Sequence, residues 1–402
     1  MNTNRSLRVA FLFTLLWAAW GCAPAREVPS SPPSVQNTTP PTPTISPVPP
    51  SATTMPEPTM TRTAVPSLSP TTSPTPSPTD TPFIPANLVP IDPQNAFQLQ
   101  PLAVLSEAGA SVVAFSPDGR QIAAGLFSTN AVKAWDLASG QELLTLSGQA
   151  EARIVSYLAY SPDGAQLASG AQGWQAENDS LILWETDTGR QAERYSGVLG
   201  ALSPDWRLVA YTTREQEGNT SLLLADRASG ELLHTLNAPS DIYGISFSPQ
   251  GEHVAAKMYG VFQDLFAFWS VESGRLEHTV YDWVGFSYAP DGRFIAALVD
   301  KGTGGDTGEL NIFDAATFRW AKTLAQDADS LWYTSPAFSP DGQLLAASFG
   351  DHVILWETQS WTELATLPTS APSGAAFSPD GRLLAVFTHK GPVQLWGVPA
   401  GP

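Results

Sequence analysis

One cysteine, Cys22, occurs in 402 residues. The chain can therefore build neither an intramolecular disulfide framework nor a cysteine-based zinc cage. Positive charge is also scarce, with 20 Lys and Arg against 38 Asp and Glu, a formal charge of −18. Affinity for a phosphate backbone comes from cations that displace counterions, so nucleic acid is excluded as an expected partner. No Gly-x-Ser-x-Gly elbow, His-Glu-x-x-His pair, phosphate loop or EF-hand loop is present. The five histidines, His234, His253, His278, His352 and His389, are scattered, and surface turns are their simplest reading. Asp300, Asp306 and Glu309 flank a Gly-rich turn without a regular pattern of oxygen ligands, which fits a solvated loop better than a calcium site. No metal, cofactor or catalytic constellation is expected.

Proline is abundant and uneven: 21 of the 36 lie between Pro24 and Pro93. Ahead of them, residues 1–8 carry Arg5 and Arg8 without an acid, and the apolar run Val9 to Trp20 follows. That run is a secretory h-region, too short for the roughly 20 residues that span a bilayer. It ends in Ala19-Trp20-Gly21-Cys22. Here the chain resembles a bacterial lipoprotein precursor, although Ala19 and Trp20 depart from the usual lipobox. The resemblance implies removal of residues 1–21, lipidation of Cys22, and an extracytoplasmic protein held at the membrane through its acyl chains.

Residues 22–96 are dominated by Pro, Thr and Ser, as in Ser73-Pro74-Thr75-Pro76-Ser77-Pro78-Thr79. No apolar periodicity of two or 3.6 residues is present, so the segment reads as a disordered tether biased towards extended polyproline II. Its composition also permits O-glycosylation without demanding it.

Residues 97–402 repeat seven times. The motif Ser-Pro-Asp-Gly, or a variant, occurs at Ser116-Pro117-Asp118-Gly119, Ser161-Pro162-Asp163-Gly164, Ser203-Pro204-Asp205-Trp206 and Ser248-Pro249-Gln250-Gly251. It recurs at Ala289-Pro290-Asp291-Gly292, Ser339-Pro340-Asp341-Gly342 and Ser378-Pro379-Asp380-Gly381. Proline presets φ, glycine accepts positive φ, and the alternating apolar runs on either side make each motif a β-hairpin. A third run follows, as in Leu181-Ile182-Leu183-Trp184-Glu185 or Val353-Ile354-Leu355-Trp356-Glu357, and a short turn leads to a fourth. Four strands per repeat is one propeller blade.

These motifs resemble WD40-repeat β-propellers over about three quarters of the chain. The resemblance implies an all-β, seven-bladed WD40-like propeller. The Gly-His dipeptide of that family is absent, so Asp136, Glu185, Asp226, Asp314 and Glu357 are expected to cap the turn after the third strand. Periplasmic TolB-like propellers share the Ser-Pro-Asp-Gly turn, but the Leu-Trp-Glu endings favour the WD40 reading. The seventh repeat lacks a fourth strand, and the segment Gln98 to Leu105 is expected to supply it, so that an N-terminal strand closes the ring.

Trp135, Trp184, Trp269, Trp356 and Trp396 recur at one repeat position and read as packing residues. Candidate binding residues lie elsewhere. Trp174, Arg214, Tyr259 and Phe262 fall in or beside long connections from second to third strands, while Trp283, Trp332 and Tyr333 stand at entries to blades. In WD-type propellers these connections share one face. An aromatic-rich face with scattered acids suits protein recognition. The expected protein is a monomeric, non-enzymatic interaction scaffold with an unidentified protein partner. Binding of glycans or cell-wall fragments is the alternative, and a propeller hydrolase or lyase is a more distant one.

Overall fold

The computed structural model describes residues 83–401, except 107–108, 128, 149–153, 173–179, 197–198, 215–219, 239, 259–263, 302–306, 330–334 and 371. Cys22 and most of the expected tether lie outside the described residues.

Each repeat folds from its turns outwards. In blade one the strands are Ala110–Phe115, Gln121–Leu126, Val132–Asp136 and Glu142–Leu146. The first turn is locked by Ser116, whose hydroxyl donates to Asp118 Oδ1 at 2.6 Å and accepts the Gln121 N–H at 2.9 Å. Gly119 sits at φ +69°, where a Cβ would be strained. After the third strand, Asp136 accepts hydrogen bonds from the Ser139 N–H and hydroxyl. Asp226 with Ser229 and Asp314 with Thr317 repeat that cap. The chain thus meanders antiparallel through each blade, and the pattern recurs in sheets running Ile154 to Ser196, Gly200 to Asn237, Ile242 to Tyr281, Trp283 to Asp329 and Ala337 to Pro368. Blade seven contains Gly374–Phe377, Leu383–Phe387 and Val393–Pro399.

The expectation of a ring closed by an N-terminal strand is corrected by the topology. Seven separate sheets are present among the described residues, and none is closed by hydrogen bonds. Two N-terminal strands, Gln100–Ser106 and Leu88–Val89, pair with Val393–Pro399 and stay within the seventh sheet, making it five-stranded. The step from blade seven to blade one is instead a packed apolar interface. Phe387, Val393 and Leu395 there meet Ala110, Ile122, Leu126 and Trp135. One backbone hydrogen bond, from the Ala110 N–H to the Thr388 carbonyl at 2.8 Å, supports it.

The same device holds every neighbouring pair. Seven apolar clusters fall one to each boundary between blades. Residues along a strand alternate between faces, so each blade buries one face against each neighbour. The expected tether boundary also shifts. Ile84, Ile91 and Ala96 are buried, and Ile91 and Ala96 pack with Leu384 and Trp396. These few apolar residues gain enough burial to order a stretch that proline content alone marks as extended.

Candidate functional site

In an antiparallel meander the first and third turns of a blade share one edge. Backbone hydrogen bonds tie them, as where Thr186 N–H donates to the Ala165 carbonyl and Arg227 N–H to the Arg207 carbonyl. On this turn edge one first turn departs from the glycine of the repeat.

The departure is in blade three. Six first turns end in glycine at φ between +69° and +74°, whereas blade three has Trp206 at φ +61°. A non-glycine residue held there costs on the order of 1–3 kcal/mol and persists only where surrounding packing fixes it. The packing is visible. Trp206 is 7% exposed and lies in the core between blades two and three with Leu183, Tyr195, Leu202 and Val209. The Arg227 guanidinium covers the indole, 5.5 Å from the ring centre. Its NH2 group reaches into blade two, donating to Gln166 Oε1 at 3.1 Å and Glu193 Oε1 at 3.2 Å. The Arg227 and Glu193 side chains are only 20% and 14% exposed. Arg227 Nε–H is buried without an acceptor among the described residues.

Trp206 and Arg227 form the shared wall of two adjoining hollows. The smaller, about 320 Å³, is bounded by Glu193, Arg207 and Asp226. The larger, about 870 Å³, lies against Asp163, Glu185, Asp187 and Asp205. The Ser161 hydroxyl holds the Asp163 carboxyl below the usual carboxylate range, and the Ser203 hydroxyl does the same for Asp205. Asp226 is lowered by the Ser229 N–H and hydroxyl. All three therefore remain anionic in neutral and mildly acidic solution.

The residues expected to bind from sequence are distributed differently. Trp174, Tyr259, Phe262, Trp332 and Tyr333 lie outside the described residues, as does the side chain of Arg214. Trp283 is 3% exposed and packs among Phe266, Phe268, Phe286 and Phe313. A side chain so enclosed offers no face to a glycan. Lys257 Nζ donates to the Val284 carbonyl at 2.6 Å, and burial pushes its pKa down. Tyr243 OH donates to the nearby Asp264 carboxylate. His352 and His389 meet different partners: His352 meets Asp351, and His389 Nδ1 lies 2.5 Å from Ser373 Oγ. Among the described residues no group of three or more His, Cys, Asp or Glu is placed to hold a metal ion.

In blade two Trp184 Nε1 donates to Ser169 Oγ at 2.8 Å. The family model for the WD domain, G-beta repeat, matches residues 140–185. Among solved structures, a chain of Kuenenia stuttgartiensis hydrazine synthase superposes with a TM-score of 0.58 at 18% identity. The match covers 73% of this chain and 97% of that one. The fold is a seven-bladed WD40-like propeller. No curated protein sequence matches the chain. At this identity the likeness is one of fold, and the chemistry of hydrazine synthase is not carried across by it. A WD40-type propeller of this kind presents surfaces capable of generic protein interaction.

The sequence did contain a signal for Trp206: it breaks the Ser-Pro-Asp-Gly motif in one repeat of seven. Arg227 carried none, because its partners Gln166 and Glu193 come from another blade.

Proposed function

We propose that this protein is an extracytoplasmic scaffold, anchored by lipid at Cys22, whose propeller engages a protein partner. The observation supporting a binding role is the cleft between blades two and three, walled by Trp206 and Arg227 and lined by carboxylates. The anchoring part rests on the basic N-terminus, the apolar run and Gly21-Cys22, followed by the Pro/Thr/Ser-rich segment. Two acyl chains or more would hold such a protein stably, where one is marginal. In this reading the propeller is a binding body rather than an enzyme.

Two measurements test the proposal. Metabolic labelling with a fatty-acid analogue should mark the full chain and not its Cys22→Ser variant. Immunoprecipitation after cross-linking intact cells should recover a protein partner. Unlabelled wild-type protein would remove the anchor, and the absence of any cross-linked partner would remove the scaffold.

A further inference from the structure

We propose that the turn edge at blades four and five lies against an anionic lipid surface, with Trp320 set among the headgroups and Arg319 and Lys322 facing the lipid phosphates. This rests on the anchored reading and names the part of the propeller that meets the membrane.

The edge changes character along the ring. Blades one, two and six pair Trp135, Trp184 and Trp356 with Glu142, Gln191 and Glu363 of their fourth strands. At the same register position blades three, four and five have Leu232, Leu276 and Trp320. These residues are 46%, 51% and 62% exposed, so packing within the propeller does not account for them. The Trp320 indole N–H donates to Thr323 Oγ1 at 3.2 Å and Asn311 Oδ1 at 3.4 Å, which fixes the ring with much of its carbon surface bare. Arg319 and Lys322 flank it. An exposed tryptophan beside cations suits the boundary between membrane and water.

Charge points the same way. In each blade the turn edge comprises the first turn and the stretch from the end of the third strand to the third residue of the fourth. There, blades one, two, three, four and six carry more acids than bases. The first turn of blade seven balances Asp380 with Arg382. Blade five reverses the sign, with Arg293, Arg319 and Lys322 against Asp291 and Asp314. None of the three cations lies within ion-pair distance of a carboxylate among the described residues. An anionic bilayer repels most of so acidic a domain. Screening over about 8 Å at physiological salt leaves the nearest charges to decide how it lands.

The tether meets the propeller on this edge too. The Phe83 N–H donates to the Ala138 carbonyl in the third turn of blade one. First turns of neighbouring blades abut, as Gly164 with Pro117, Gly251 with Pro204 and Gly292 with Gln250. Arg227 joins blades two and three in the same way through Gln166. The chain ahead of Phe83, which carries Cys22, therefore leaves from the edge that holds Trp320. Anchoring keeps the propeller concentrated over the surface, so a contact too weak for a free protein is still occupied.

The test is the rate at which a water-soluble reagent acetylates Lys322 in the full chain, read by mass spectrometry. Lys390 is the internal control, exposed between the second and third strands of blade seven on the opposite edge. Vesicles of equal parts phosphatidylglycerol and phosphatidylcholine should slow the reaction at Lys322 by about threefold or more and leave Lys390 unchanged. The protection should weaken at high salt and in the Arg319→Glu and Trp320→Ser variants, both at exposed positions that keep the fold. Lys322 reacting at its free rate on these vesicles, equal protection by phosphatidylcholine alone, or equal protection of Lys390 would each overturn the proposal. So would protection found only with cell membranes and lost after protease treatment, which would assign the surface to a protein. The anchor fails separately. Fatty-acid labelling at Cys22 with unprotected Lys322 leaves an anchor without this contact. Protected Lys322 in a chain that takes no fatty acid leaves the contact without the anchor.

Discussion

Trp206 and Ala225 occupy the same core between blades two and three, and each stands where the repeat has the other kind of residue. Ala225 pairs with Val209 at the register position that in five blades holds tryptophan, as in Ile122 with Trp135 and Leu345 with Trp356. Trp206 replaces the turn glycine. The aromatic volume missing from the third strand has moved to the turn.

That exchange predicts coupling. Trp206→Gly removes a buried aromatic worth about 3–5 kcal/mol but relieves about 1–3 kcal/mol of backbone strain. A net loss of about 2 kcal/mol should appear in urea unfolding. Adding Ala225→Trp should recover part of it, although the same change in the wild type overpacks the interface. Additive effects in this double-mutant cycle would refute the exchange.

Gly109 marks the closest backbone approach at the junction of blades seven and one. A Cβ there would lie 1.7 Å from the His389 carbonyl oxygen. Gly109→Ala should therefore cost about 1–3 kcal/mol through displacement of the backbone. Gly401→Ala, with nothing within 4 Å, serves as the neutral control. Thermal melts of the two variants give the comparison.

Trp283 should behave as a core residue. Trp283→Ala is expected to lower stability by about 3–5 kcal/mol, because the side chain is almost wholly enclosed by aromatic rings. Denaturant titration measures this. A near-neutral result would return Trp283 to the surface and reopen it as a ligand contact.

The serine–aspartate turns predict the direction of acid sensitivity. Hydrogen bonds from Ser116, Ser161 and Ser203 depress the pKa values of Asp118, Asp163 and Asp205 in the folded state. Their stabilisation is complete above the unfolded carboxylate pKa of about 3.9 and is lost as pH falls through the depressed folded values. Ser161→Ala should lower stability at neutral pH, while the gap between variant and wild type narrows in strong acid to the part carried by the Gln166 N–H bond to the hydroxyl. A constant gap at every pH would show that the hydroxyl acts without its carboxylate partner.

The sequence by itself determined the blade count and the turn chemistry. Ser-Pro-Asp-Gly and the capping acids act within a few residues, so their spacing writes the local fold directly, as Ser116 with Asp118 and Asp136 with Ser139 show. The packing role of Trp269 was legible for the same reason, since it recurs in register and is 1% exposed. Tertiary structure decided how the ring holds together and where its cleft lies. Both depend on contacts between blades, which turn periodicity does not encode. The N-terminal strands stayed in the seventh sheet because apolar packing, rather than a hydrogen-bonded strand, joins blade seven to blade one. Trp283 turned inward because Phe266 and Phe268 of blade four, Phe286 of its own strand and Phe313 of the third strand of blade five surround it. Arg227 meets Glu193 across 34 residues of sequence, and only the packing of blade three against blade two makes them a pair.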